Sequence, residues 1–135
     1  MPLVEWDQSF SVKVKKFDNQ HKVLFDIINA LYSIIDISSN REELKKLIEN
    51  LRLYTIKHFS AEERYFDLYN YPETEEHKRE HKVFIDRIAD YKQASLEEND
   101  LIISEILEFL VDWLVIHIKT ADRKYANFMN KNGIH

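Results

Sequence analysis

Apolar residues recur at steps of three and four along most of this chain, and their rhythm divides it into four long segments. The second segment carries Leu44, Leu47, Leu51 and Tyr54 on one stripe. The fourth carries Ile103, Leu107, Leu110 and Leu114, and the first carries Leu24, Ile28, Leu31 and Ile35. In the third, Phe84, Ile88 and Tyr91 share a face. That period is helical, and it predicts helices from about Asp18 to Ile37, Asn40 to Tyr69, Pro72 to Gln93, and Leu96 to Asn130.

The breaks between segments agree with this division. Ser39-Asn40-Arg41-Glu42 and Ser95-Leu96-Glu97-Glu98 fit a capping box, in which serine and glutamate satisfy free amides at a helix start. Pro72, followed by Glu-Thr-Glu-Glu, suits a first helical turn with acidic residues at its positive end. Short connections favour antiparallel neighbours, so the expected fold is all-α, an up-down-up-down four-helix bundle. Residues 1–17 are expected to form an N-terminal arm anchored by Trp6 and Phe10, residues 18–130 the bundle and residues 131–135 a tail, all within one domain.

Composition narrows the picture. One glycine and two prolines in 135 residues suit helices far better than a turn-rich β fold. A formal charge of −5 offers no general attraction to nucleic acid or anionic lipid. Without cysteine, thiolate chemistry and cysteine-ligated zinc are excluded. No basic start leads into an apolar run, and no uninterrupted apolar stretch spans a bilayer, so the expected location is cytoplasmic.

Followed further, the stripes stop being apolar. The second leads to His58, Ala61 and Glu62, the fourth to His117 and Ala121, and the first begins at His21. Traced backwards, the third reaches His81 and His77, while Lys78, Arg79 and Glu80 fall on the outer face. In an antiparallel bundle these five histidines lie at one height, early in the first and third helices and late in the others. One inward histidine is ordinary core hydrogen bonding. Five with a carboxylate would cost several kcal/mol unpartnered, at about 1–3 kcal/mol per group, and a metal centre offsets that cost.

Here the chain resembles the hemerythrin family, in particular its single-domain bacterial members. The resemblance rests on Trp6-Asp7, Asp18-Asn19-Gln20-His21, His58-Phe59-Ser60-Ala61-Glu62, His77-x-x-x-His81, and His117-Ile118-Lys119-Thr120-Ala121-Asp122 followed by Lys124-Tyr125. It implies that His77, His81 and His117 bind one iron, that His21 and His58 bind a second, and that Glu62 and Asp122 bridge the two together with a hydroxide or oxo group. Across two six-coordinate metals this set leaves one position vacant, on the iron with two histidines. The resemblance also implies Leu24, Phe59, Trp113, Leu114 and Ile118 as walls of an O2 pocket.

Periodicity does not find Asp122. It stands five residues after His117, about 140° away on a regular helix, so a π-bulge, kink or helix end is expected between them. Val12-Lys13-Val14-Lys15-Lys16 departs from the family, whose members commonly have a glycine-containing turn there.

The function implied is reversible O2 binding for storage, delivery or sensing, not enzymatic turnover. The alternatives are a di-iron enzyme of peroxidase, nitric-oxide or iron-repair chemistry, favoured if Tyr54 or Tyr65 reaches the centre, and a structural or metal-storage bundle. Imidazole and carboxylate suit manganese as well as iron.

Overall fold

The computed structural model describes residues 2–37, 41–94 and 101–135. Helices α1 (Lys15–Ile37), α2 (Arg41–Tyr69), α3 (Thr74–Ala94) and α4 (Leu101–His117) form the four-helix bundle; a π-helical turn, Ile118–Asp122, continues α4 into α5 (Arg123–Lys131). Around the bundle α1 touches α2, α2 touches α3, α3 touches α4 and α4 returns to α1. Both proposed capping boxes extend beyond the described residues. Among the described residues no helix is long and apolar enough to cross a membrane.

The stripes face inward as their spacing requires. Leu24, Ile28, Leu31, Leu44, Leu51, Phe84, Ile88, Leu107, Leu110 and Leu114 are all buried. Ile48 and Thr55 join them on α2, because an inward helical face is wider than one line of residues.

Helix α1 begins three residues before the expected Asp18. The Asp18 carboxylate turns back over the arm instead of capping the helix, accepting from the Val12 amide at 2.8 Å and the Ser11 hydroxyl at 2.7 Å. This pulls Val12, Val14 and Phe17 into the core. The turn that a glycine would make easily is made by Lys13, at φ +60°, and Asn130 secures it by donating to the Lys13 carbonyl at 3.0 Å. Farther along the arm, Asn29 bonds both amides of Leu3 and Val4 and the Val4 carbonyl. Phe10 packs edge-on against Phe25 at 5.0 Å, and Lys22 lies over the Trp6 ring at 4.3 Å.

Helix α2 ends in a Schellman turn. Asn70 adopts φ +56°, the Tyr71 amide returns to the Phe66 carbonyl at 2.9 Å, and the Phe66 and Tyr71 rings meet at 4.9 Å. Pro72 consequently lies in the turn before α3 and not in its first helical turn. A proline disfavours helical backbone in the residue before it, and Thr74 starts the helix by bonding the Tyr71 carbonyl through its hydroxyl at 2.6 Å.

Lys13 is a site of backbone strain. Left-handed geometry costs a side-chain-bearing residue about 1–2 kcal/mol, whereas glycine adds only about 0.5–1 kcal/mol of unfolded-state entropy. Lys13→Gly is therefore expected to raise unfolding free energy by about 0.5–1 kcal/mol, read from denaturant titration. A loss of stability would show that the Lys13 side chain contributes more than its backbone costs.

Candidate metal centre

Each helix brings its polar residues to one level of the core. His21 comes from the second turn of α1, His58 and Glu62 from successive turns late in α2, His77 and His81 from successive turns early in α3, and His117 from the end of α4. All six are buried, as is Asp122. His135, by contrast, is exposed.

Asp122 reaches the centre because the helix widens. The π turn over Ile118–Asp122 accommodates the five-residue step from His117, returning the carboxylate to the histidine's face. The Thr120 hydroxyl gives the Ile116 carbonyl a donor at 2.6 Å within this turn. From outside, the arm clasps it: Arg123 bonds the Ser9 carbonyl at 2.7 Å, and Lys119 lies 4.5 Å from the centre of the Phe10 ring.

The side chains gather into two groups that share their carboxylates. Glu62, His77, His81, His117 and Asp122 form one, and His21, His58, Glu62 and Asp122 form the other. Asp122 divides its oxygens between them. Oδ1 lies 2.9 Å from both His77 Nε2 and His117 Nε2, while Oδ2 lies 3.2 Å from His21 Nε2. Glu62 Oε1 lies 3.2 Å from His81 Nε2 and 3.5 Å from His58 Nε2.

These contacts are short but are not aligned as hydrogen bonds. The Nε2 atoms of all five histidines, both Asp122 oxygens and Glu62 Oε1 are buried without a hydrogen-bond partner. At about 1–3 kcal/mol per unsatisfied group, that many would consume most or all of the roughly 5–15 kcal/mol that stabilises a typical domain. Atoms pointing at a common centre instead of at one another are what a metal requires. For an octahedral ion with bonds of about 2.1 Å, adjacent ligands lie roughly 3.0 Å apart, close to the shortest separations here.

The outer ring nitrogens are held from behind. His58 Nδ1 meets Gln20 Oε1 at 2.5 Å and His81 Nδ1 meets Glu63 Oε2 at 2.9 Å. Both partners are acceptors, so they keep the proton on Nδ1 and leave the Nε2 lone pair facing the centre. Glu80 Oε1 lies 3.5 Å from His117 Nδ1. Glu80 therefore does more than solubilise α3, although Lys78 pairs with Asp67 on the surface at 2.9 Å.

In the chain alone the electrostatics are polarised. Burial opposes ionisation of both carboxylates, yet the histidines around them hold Glu62 down to about 2 and Asp122 well below the usual carboxylate range. Burial also opposes a charge on His117, but Asp122 and Glu80 push it up to about 10. His58, where burial prevails, falls to about 4.

Aromatic rings and one phenol complete the surroundings. Phe59 stacks on His81 at 3.7 Å and Trp113 on His117 at 4.3 Å, so both lie against the three-histidine group. Leu24, Leu114 and Ile118 are fully buried, while Trp113 is half-buried. The tyrosine that reaches the carboxylates is Tyr125, which donates to Glu62 Oε2 at 2.5 Å. Tyr65 instead packs against Phe17 and Tyr69. Sequence reasoning gave no role to Gln20, Glu63, Glu80 or Tyr125. Tyr125 had a signal, eight residues after His117 on a stripe once the extra π residue is counted.

Comparison with known proteins agrees with this geometry. Residues 12–128 match the family model of the hemerythrin HHE cation binding domain. The chain is 32% identical to a bacteriohemerythrin of Clostridium acetobutylicum, covering 90% of this chain and 98% of that one. It is 34% identical to a myohemerythrin of Theromyzon tessulatum, covering 90% and 89%. A crystal structure of wild-type hemerythrin superposes with a TM-score of 0.83 at 31% identity, covering 93% of this chain and 96% of that one. A bundle of this topology, folded around this cluster and matched along nearly its whole length, belongs to the hemerythrin family.

Proposed function

We propose that His77, His81 and His117 hold one iron, that His21 and His58 hold a second, and that Glu62 and Asp122 bridge them together with a hydroxide or oxo group. The protein binds O2 reversibly at this non-haem centre, for storage, delivery or sensing. The observation that carries this reading is the set of buried, unpartnered Nε2 and carboxylate atoms directed at shared points in the core. When bound, the iron pair supplies the electrons and the open coordination position that O2 needs.

The chain's own residues support binding over turnover. Glu62 and Asp122 would neutralise much of the cations' charge, limiting the cost of burying it. Gln20 and Glu63 orient the ligating rings. Leu24, Leu114 and Ile118 exclude water, and with Phe59 and Trp113 we assign them to the pocket that admits O2. The nearest phenol, Tyr125, retains its proton: burial and the neighbouring carboxylates raise its pKa well above the ordinary value, and its hydrogen bond is already given to Glu62. A site with no free acid beside the ligand is poorly equipped to cleave an O–O bond, and it favours release.

Anaerobic reconstitution with ferrous iron is expected to load two irons per chain, and repeated exposure to and removal of O2 should cycle an optical band without loss. Irreversible oxidation with no oxygenated species would sink the carrier reading. His58→Leu, which removes one of the two histidines of the second iron, is expected to lower iron content to about one per chain while the bundle stays helical by circular dichroism.

Acid should empty the centre. A histidine must be neutral to ligate, and in the chain alone a proton competes for His117 at every pH below about 10. Iron affinity is therefore expected to rise with pH through neutrality, and iron content should fall, with weakened folding, as pH approaches 4. Unchanged iron content at pH 4 would contradict this ligand set.

A further inference from the structure

The centre is buried on all sides, yet cations must reach it. One cleft between α3 and the π turn leads toward it, lined by Glu73, Glu76, His77, Glu80, Ala121 and Lys124. Glu73, in the turn before α3, and Glu76 and Glu80, on the first two turns of its face, stand at steps of three and four and present three carboxylates to the opening. Ala121 offers only a methyl group from the opposite side. The space is about 20 Å³, room for one water-sized species.

The inner wall of this cleft is a residue of the centre itself. His77 is only 3% exposed, and its unpartnered Nε2 lies 2.9 Å from Asp122 Oδ1. A second buried, unpartnered nitrogen, His117 Nδ1, is 3.5 Å from Glu80 Oε1. Carboxylates thus lead from solvent to two rings of the three-histidine group. The groove between α2 and α3 also reaches a ring of that group, but it sets Lys78 and Lys82 against Glu63 and is walled by Ile56, Phe59 and Ile85. Its two lysines are already paired with Asp67 and Asp86, and its lining offers a cation few oxygens.

We propose that the Glu73–Glu76–Glu80 cleft is the port through which a ferrous ion enters the centre. This rests on the iron-binding reading above. Glu73, fixed by the Tyr71 hydroxyl at 3.1 Å, and Glu76 attract the hydrated ion at the rim. Glu80, set against the outer nitrogen of His117, is the innermost carboxylate on its way to His77, and Lys124 opposes the attraction and sets its strength.

The test is the rate of anaerobic ferrous iron uptake by chain stripped of metal, with unbound iron trapped by a chelator at timed intervals. Glu73→Gln with Glu76→Gln should slow uptake about tenfold at low ionic strength, the scale expected for removing two charges beside a divalent ion's path. The difference should vanish near 1 M salt, where screening acts within about 3 Å. Lys124→Gln should accelerate uptake, and final iron content should match the parent in every case. Glu42→Gln with Glu43→Gln, more than about 20 Å away along α2, changes net charge equally and should alter the rate less than twofold.

Rates indifferent to Glu73 and Glu76, or slowed equally by the distant pair, overturn the port while leaving the centre intact. A parent chain that takes up no iron overturns the centre and the port with it.

Discussion

Five imidazole nitrogens and two carboxylates turned toward common points in a buried core are the constraint around which this bundle is organised. Nothing else in the fold is as costly to leave unmet. Packing alone would favour leucine at most of these positions, and α2 and α4 indeed supply leucine one or two turns earlier on the same faces. The protein instead interrupts its hydrophobic stripes at one height on every helix. It thereby gives up apolar burial to build a site whose free energy is recovered when cations arrive.

Much of the surrounding structure fixes the direction of those nitrogens. Gln20 and Glu63 are partly exposed yet hold rings that are not. Phe59 lies flat on the His81 ring and Trp113 on the His117 ring, limiting their rotation. Tyr125 fixes Glu62 by donating to its Oε2, and Phe17, Phe66 and His77 enclose its ring. The arm, secured by Asn29 and Asp18, closes over the π turn and keeps Asp122 in register. Rigidity of this kind limits how far the ligands must reorganise when the centre changes charge.

The fold was largely legible because helical period is a property of neighbours in sequence, and the bundle's stripes run unbroken from leucine into histidine. The five histidines and Glu62 could be found that way. Asp122 could not, since its angle to His117 is wrong for a regular helix; only the resemblance supplied it, and the mismatch in angle then called for a π-bulge, kink or helix end, of which the structure has the first. The contacts that Gln20, Glu63 and Glu80 make with the ligands were hidden for a different reason. Their Cα atoms lie beside the inward stripe, and only side chains of three or four bonds let them lean back over the ligands. The arm's path depended on Lys13 adopting a backbone conformation that its residue type disfavours, which no pattern of hydrophobicity encodes.

The widened turn at Ile118–Asp122 also makes the last helix a composite of two reading phases. Upstream, inward positions follow Leu110, Leu114 and His117; downstream they follow Asp122, Tyr125 and Met129, displaced by one residue. Closing this turn into ordinary helix without changing its length would swing Tyr125 and Met129 by about 100° toward solvent. The widened form of this turn is therefore as necessary to the site as the identity of any ligand. An ordinary helix could present the same face only with one residue fewer, which would set Tyr125 seven positions after His117.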